Sequence, residues 1–409
     1  MAAEKPRAAT RSPAKPRVRP GGASDIVGLA HLLATKGMII VCGSGGVGKT
    51  TMAAALGAQA AINIGGRVLV LTVDPAKRLA NALGLKAFGN AETQIAPEAF
   101  AAAGVKPRGE LWAAMLDTKA GWDELIRRHA PDEQLRDKVL ANPLYQNITG
   151  RFVQSHDYIA MERLHELHAS GAYDLVIIDT PPSRNALDII DSPGRMMEFF
   201  GSRLLRWLTV PYRSRLFTVA SKPFYQVADR VIGSRFLQDI AEFFVLFQTM
   251  EKGFVTRARD VERLLADPRT SFLVVSTLEA APAYEAAFLA NALTERHLPL
   301  GGVIVNRAMP SVMRKPVVAE AASRLGVAAK QEKLSADLGA ALKVEPDVIQ
   351  SILGEIAMSF HDIAMVATRE AERRSELERL APFTAIAPAL DHDIHNLRSL
   401  LELGEQLWR

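Results

Sequence analysis

The chain has 409 residues, 48% hydrophobic and 23% charged, which is ordinary globular composition with length enough for a large core in one domain or two. Its single cysteine, Cys42, excludes an intramolecular disulfide and a cysteine-rich zinc site, and it fits a reducing compartment such as the cytoplasm. No stretch of 18 or more residues is both free of charge and apolar, so no membrane-spanning helix is expected.

The net charge of +4 is mostly local. Residues 1–24 carry six Lys/Arg against Glu4 alone, a local +5 that leaves the rest of the chain at −1. With four prolines and almost no large apolar residue, this stretch reads as a disordered basic tail. It has no apolar core of a secretory signal. A solvated tail is the plain reading; a weak electrostatic role at nucleic acid or anionic lipid is the alternative. The near-neutral remainder gives no argument that the folded body binds nucleic acid.

Ser24 can cap a helix over 25–35. The apolar run Met38-Ile39-Ile40-Val41-Cys42 follows and reads as a buried strand. Next come Gly43-Ser44-Gly45-Gly46-Val47-Gly48-Lys49-Thr50, which fit the P-loop pattern G-x-x-x-x-G-K-[ST], and then an Ala-rich helix over 51–61. Gly65-Gly66 breaks the chain before a second continuous apolar strand, 67–73, that ends at Asp74-Pro75. Continuous rather than alternating apolarity predicts strands buried on both faces, as in a parallel sheet. A third strand over 111–116 ends at Asp117. Residues 118–170 read as mainly helical, broken at Pro131 and Pro143. A strand over 173–179 ends in Asp179. Further strands are predicted at 271–277, 302–305 and 383–386, with helices over 283–296 and about 393–408.

Two long helical stretches, about 192–266 and 311–380, interrupt this alternation. Within the first, residues 196–254 hold 12 of the chain's 26 aromatics, and 195–259 carry 11 Lys/Arg against 5 Asp/Glu. The aromatics are either the core of a helical subdomain or a surface for a hydrophobic client, a partner or a membrane face. The second stretch, with Glu370, Glu372, Arg373, Arg374, Glu376 and Arg379, reads as a solvated charged helix. The whole predicts a doubly wound, mostly parallel α/β sheet of the P-loop NTPase kind over 25–409, with large helical insertions at these two stretches.

Strand–loop–helix context turns the Gly-rich pattern into a candidate site. Its glycines let successive N–H groups point at phosphate oxygens, and the helix N-terminus adds positive potential. Gly45, Gly46, Val47, Gly48, Lys49, Thr50 and Thr51 are the nucleotide-binding candidates. Lys49 reaches the β- and γ-phosphates, which makes it a catalytic candidate as well. Thr50 and Asp179 are the expected Mg²⁺ ligands, since phosphoryl transfer to water needs a metal beside the phosphate cradle. Asp74 is the candidate for orienting the attacking water. A strand-end acid that only caps the next loop is the structural alternative for Asp179, and a turn former is the alternative for Asn306.

Gly43–Thr51, Asp74-Pro75-Ala76, Asp179-Thr180-Pro181-Pro182-Ser183 and Val305-Asn306-Arg307 occur in order at predicted strand ends. Together they resemble the ATPases of the arsenical pump and of tail-anchored protein targeting, within the dimeric P-loop class. The resemblance covers roughly 37–400. It implies ATP and Mg²⁺ as ligands and an ATP-hydrolysing switch. Asp74 then activates water in switch I, Asp179 contacts the metal through water in switch II, and Asn306 reads the adenine edge.

The departures are informative. The family loop carries a first lysine that crosses the dimer interface; this chain has Ser44 there, and a hydroxyl cannot neutralise phosphate across that gap. Lys77-Arg78 and Arg184-Asn185 also depart from the switch sequences. No C-x-x-C for interfacial zinc and no cysteine cluster for arsenite is present. Three functional readings stay open. One is a dimeric switch that acts on a hydrophobic client or membrane-associated partner through 192–266. Another is a nucleotide-binding subunit of a heterodimer whose paralogue supplies the missing lysine. The last is a membrane-surface or nucleic-acid adaptor that uses ATP structurally. Each places the protein in the cytoplasm, with peripheral membrane association left open.

Overall fold

The computed structural model describes residues 28–73, 78–83, 91–143, 145–146, 155–180, 187–201, 243–245, 248–325 and 327–408. The basic tail, the cap at Ser24, Asp74-Pro75-Ala76-Lys77, Pro181 to Asn185 and residues 202–242 lie outside them.

Helix α1 (Leu29–Thr35) leads into strand β1 (Met38–Cys42). Every residue of β1 is buried, and successive side chains enter opposite cores. Met38, Ile40 and Cys42 join one apolar cluster, Ile39 and Val41 the other. That is the period of two expected of a strand, with helices covering both faces of the sheet. Helix α2 (Lys49–Asn63) follows, then β2 (Arg67–Thr72), the short α3 (Arg78–Ala82), β3 (Thr93–Gln94), α4 (Pro97–Ala102) and β4 (Glu110–Met115). Helices α5 (Thr118–His129), α6 (Glu133–Ala141) and α7 (Ser155–Ser170) precede β5 (Leu175–Asp179) and α8 (Leu187–Gly201). Asp117 and Asp132 cap α5 and α6, each accepting from a backbone N–H three residues on. Helix α9 (Glu251–Leu265), β6 (Thr270–Ser276), α10 (Ala280–Glu295) and β7 (Leu300–Ala308) complete the middle of the chain. A 3-10 turn (Ser311–Arg314) opens α11 (Pro316–Leu325), α12 (Ala328–Leu342) and the 35-residue α13 (Pro346–Leu380). Strand β8 (Thr384–Pro388) and α14 (Leu397–Trp408) close the described chain.

Among the described residues the strands form one sheet in the order β3-β4-β2-β5-β1-β6-β7-β8. All neighbours are parallel except β3 on β4, so the sheet is doubly wound and mostly parallel, as expected. Strand β1 lies between β5 and β6, where the winding reverses, and the crevice outside the carboxyl ends of such strands is the usual ligand site. One face is covered by α1, α2, α4 and α14, the other by α5, α7, α9 and α10.

Two readings of the helical stretches gain definition here. The described aromatics of 192–266 are largely core: Phe243 and Phe254 are buried, with Phe254 stacked near Trp122 and Tyr158, while Phe199 is exposed. Trp207, Phe224, Tyr225 and Phe247 lie outside the described residues. The stretch 311–380 is helical but not uniformly a solvated charged face. Charge is densest at 369–379, whereas 344–368 carries four acids and a series of apolar side chains that are largely open to solvent.

Candidate functional site

The P-loop is the connection from β1 to α2. Gly43 has a φ of +146°, and a Cβ there would stand 2.1 Å from the Val275 carbonyl oxygen of β6, so backbone abuts backbone and only glycine fits. Gly48 caps α2 in the left-handed conformation. A Cβ at Gly48 would meet the Asn306 amide at 2.4 Å, so the loop needs glycine there for close packing as well as for φ. Val47 anchors the loop in the core, while Gly45 and Gly46 face outward. No side chain caps α2 and no acid occupies its first turn, which leaves the N-terminal N–H groups and their positive potential for an anion.

Lys49 is buried, and its Nζ donates to the carbonyls of Gly43 at 3.0 Å and Ser44 at 2.9 Å. The ammonium thus lies inside the curve of the loop. Thr50 and Thr51 begin the helix beside it. Asp179 is fully buried at the end of β5. Its Oδ2 accepts from Thr50 Oγ1 at 2.6 Å and from Thr72 Oγ1 at 2.8 Å. Parallel register puts Asp179 level with Val41 of β1 and Thr72 of β2, and its carboxylate ties the ends of β5 and β2 to the start of α2. Thr180 continues this contact, donating to the Val41 carbonyl at 2.9 Å.

Asn306 comes from the far side, near the end of β7. Its Nδ2 donates to the Val47 carbonyl at 2.8 Å, and its Oδ1 accepts from the Arg307 N–H at 2.9 Å. Arg307 adopts a φ of +54°, and the register between β7 and β8 shifts there. This left-handed residue turns the strand end and presents the amide to the loop. An amide has two donors and two acceptors, so Asn306 keeps one N–H and one lone pair beyond these bonds.

Lys49, Thr50, Asp179 and Asn306 therefore converge on the loop. Asp74 lies outside the described residues. Thr72, the bond from Thr180 to Val41 and the Val47–Asn306 bond escaped the sequence reading. A threonine closing an otherwise apolar strand, two residues before an acid, was the available signal for Thr72. Ser44 buries its Oγ, which has no hydrogen-bond partner among the described residues. Cys42 donates to the Leu273 carbonyl at 3.5 Å, and burial pushes its thiol up to about 12, so it is a structural residue and not a nucleophile. No His/Cys/Asp/Glu cluster suited to a metal occurs among the described residues, and no described helix is long and apolar enough to cross a membrane.

A family model described as anion-transporting ATPase matches residues 36–324. The chain is 27% identical over 236 residues to an uncharacterized protein of Streptomyces coelicolor, a match covering 56% of this chain and 54% of that protein. It is 24% identical to the putative arsenical pump-driving ATPase 1 of Aquifex aeolicus, covering 67% of this chain and 63% of the relative. It is 26% identical to the ATPase ASNA1 homolog of Entamoeba dispar, covering 69% and 80%. The first two matches thus span less than two thirds of those relatives. The family model takes in the loop, Asp179 and Asn306 together. The chain belongs to the anion-transporting ATPase family.

Proposed function

We propose that this chain is an Mg-ATP-hydrolysing switch that works as a dimer on a hydrophobic client or membrane-associated partner. The observation that carries the nucleotide part is the Thr50–Asp179 hydrogen bond at the mouth of a loop whose ammonium already sits in its concavity. A hydroxyl and a carboxylate are hard oxygen donors, so the pair fits Mg²⁺, with Thr50 as ligand and Asp179 beside it. When bound, the metal neutralises charge on the β- and γ-phosphate oxygens. The chain's own contributions are separate. Loop N–H groups and Lys49 hold the phosphates, Asn306 offers an amide edge toward the base, and Asp74 orients water. The relatives' printed names support the ATPase reading.

The test uses the full chain with radiolabelled or fluorescent ATP and a phosphate-release assay. Lys49→Ala should weaken ATP binding at least 100-fold. Asp74→Asn should bind ATP within about threefold of the parent and lose at least 100-fold in turnover, the scale of one positioned catalytic group. Wild-type chain that fails to bind Mg-ATP would sink the reading.

The heterodimer reading is favoured by Ser44 in particular, whose hydroxyl oxygen is buried and has no hydrogen-bond partner among the described residues. A paralogous subunit then supplies the cation in trans. Ser44→Lys should raise the turnover of the isolated chain if a missing cation limits it, and leave it unchanged if not.

A further inference from the structure

Eleven of the fifteen exposed large hydrophobic side chains among the described residues fall within 312–366, the region of α11, α12 and the first part of α13. They are not scattered. At about 100° per residue, Val348, Ile352, Ile356, Ile363 and Val366 fall within an arc of roughly 80° on α13. Four of these five are exposed by 44–49%, and Ile363 is partly open. The stripe runs over about 27 Å of helix. Ile349 and Leu353 sit at its border and are buried, yet belong to neither main core. They mark a local buried seam on α13, along which α11 and α12 pack. The far end of α13 is tied to the body: Arg373 donates to the Leu278 carbonyl, Glu370 accepts from the Met309 N–H, and Leu377 joins a main core. So α13 is an anchored arm whose apolar face is wider than its own partners cover.

Charge selects the occupant. Residues 344–368 contain Glu345, Asp347, Glu355 and Asp362, all exposed, and no Lys or Arg. Glu355 and Asp362 project along the border of the stripe opposite the buried seam. A second copy of α13 is a poor match. An antiparallel pair brings like borders together, acid on acid, and a parallel pair needs the border that α11 and α12 already occupy. We propose that this face docks an amphipathic helix of another protein, one with an apolar i, i+3/i+4, i+7 stripe flanked by Lys or Arg. The site is separate from the P-loop and independent of the nucleotide reading.

The test takes the full chain and two fluorescent 21-residue helical peptides with the same Leu stripe, one flanked by Lys and one by Glu. Anisotropy should show the Lys peptide binding at least tenfold tighter. Ile352→Gln with Ile356→Gln should weaken it at least tenfold without lowering the melting temperature. Glu355→Lys with Asp362→Lys should reverse the preference between peptides. Equal binding of both peptides, or Lys-peptide binding untouched by either double variant, overturns the proposal. So does a homodimer in ultracentrifugation that Ile352→Gln with Ile356→Gln dissolves, because that makes a second copy the occupant. Stripe-dependent binding to neutral lipid vesicles that exceeds peptide binding would likewise assign the face to a membrane.

Discussion

Asp157 is a carboxyl held where packing disfavours its charge. It lies buried on α7, and burial, helped by neighbouring Asp188, pushes it up to about 6, with Arg195 opposing. The native protein therefore keeps a proton that the unfolded chain, with an ordinary carboxylate, has released. Stability from this group is complete below about pH 4 and is lost as pH rises to about 6. His129 and His165 act in the opposite sense. Burial first, then Arg257, holds both below the usual histidine range, so their contribution is lost as pH falls below about 6.5. Asp157→Asn separates these effects. It should stabilise the protein at pH 7.5 by on the order of 1 kcal/mol after discounting for solvent screening, and do nothing at pH 4. Urea unfolding of both proteins at both pH values measures it; an equal gain at pH 4 would mean that charge is not the cause. Residues of this kind were beyond the sequence, because Asp157 and Asp188 meet only through the packing of α7 and α8. Lys49, Thr50 and Asp179 were readable because the loop chemistry dictates their types and a strand end dictates their place. Thr72 was not, since a single hydroxyl at a strand terminus has many bland explanations.

Whole elements divide in the same way. The inner parallel strands were legible to within a few residues, because burial on both faces demands an unbroken apolar run. Strand β3, two residues long and antiparallel, carries no such run and shows only in the backbone pairing with β4. Helix α13 misled for a physical reason. Its charged third, 369–379, holds eight of the helix's eleven charged residues, while its apolar stripe is spread at helical spacing through 348–366 and is obvious only once that whole span is known to be one helix. Helix α9 shows what part of the aromatic-rich stretch does. Phe254 has no exposed surface and lies 6.2 Å from Trp122 and 6.1 Å from Tyr158, ring centre to ring centre. Such a cluster is a packing device, and opening a cavity in it is expensive. Phe254→Ala should cost about 3–5 kcal/mol, read from the shift in denaturant midpoint, while ATP affinity of the folded fraction stays put. A loss below about 1 kcal/mol would mean that this region is loosely packed and its aromatics are free to serve a client.

At the scale of the molecule, the candidate site is a junction between segments distant in the chain. The loop at 43–50, Thr72, Asp179 and Asn306 come from the ends of β1, β2, β5 and β7, and both cores reach the sheet that aligns them. The unfolded chain has no such junction, so a ligand cradled there binds only the native state and must stabilise it by mass action. If the loop holds the nucleotide as proposed, Mg-ATP at about 100 times its dissociation constant should add about 2.7 kcal/mol, which for a chain of this length should move the melting midpoint by on the order of 3 °C. The metal and the cradle can be separated in the same experiment. Chelating Mg²⁺ with EDTA should shrink the ATP-dependent shift if Thr50 and Asp179 hold a metal beside the phosphates. Lys49→Ala should abolish it whether or not metal is present, because the cradle then lacks its cation. A Lys49→Ala protein that melts with the full ATP shift would place the nucleotide elsewhere, and the convergence of four strand ends on this loop would then be architecture alone.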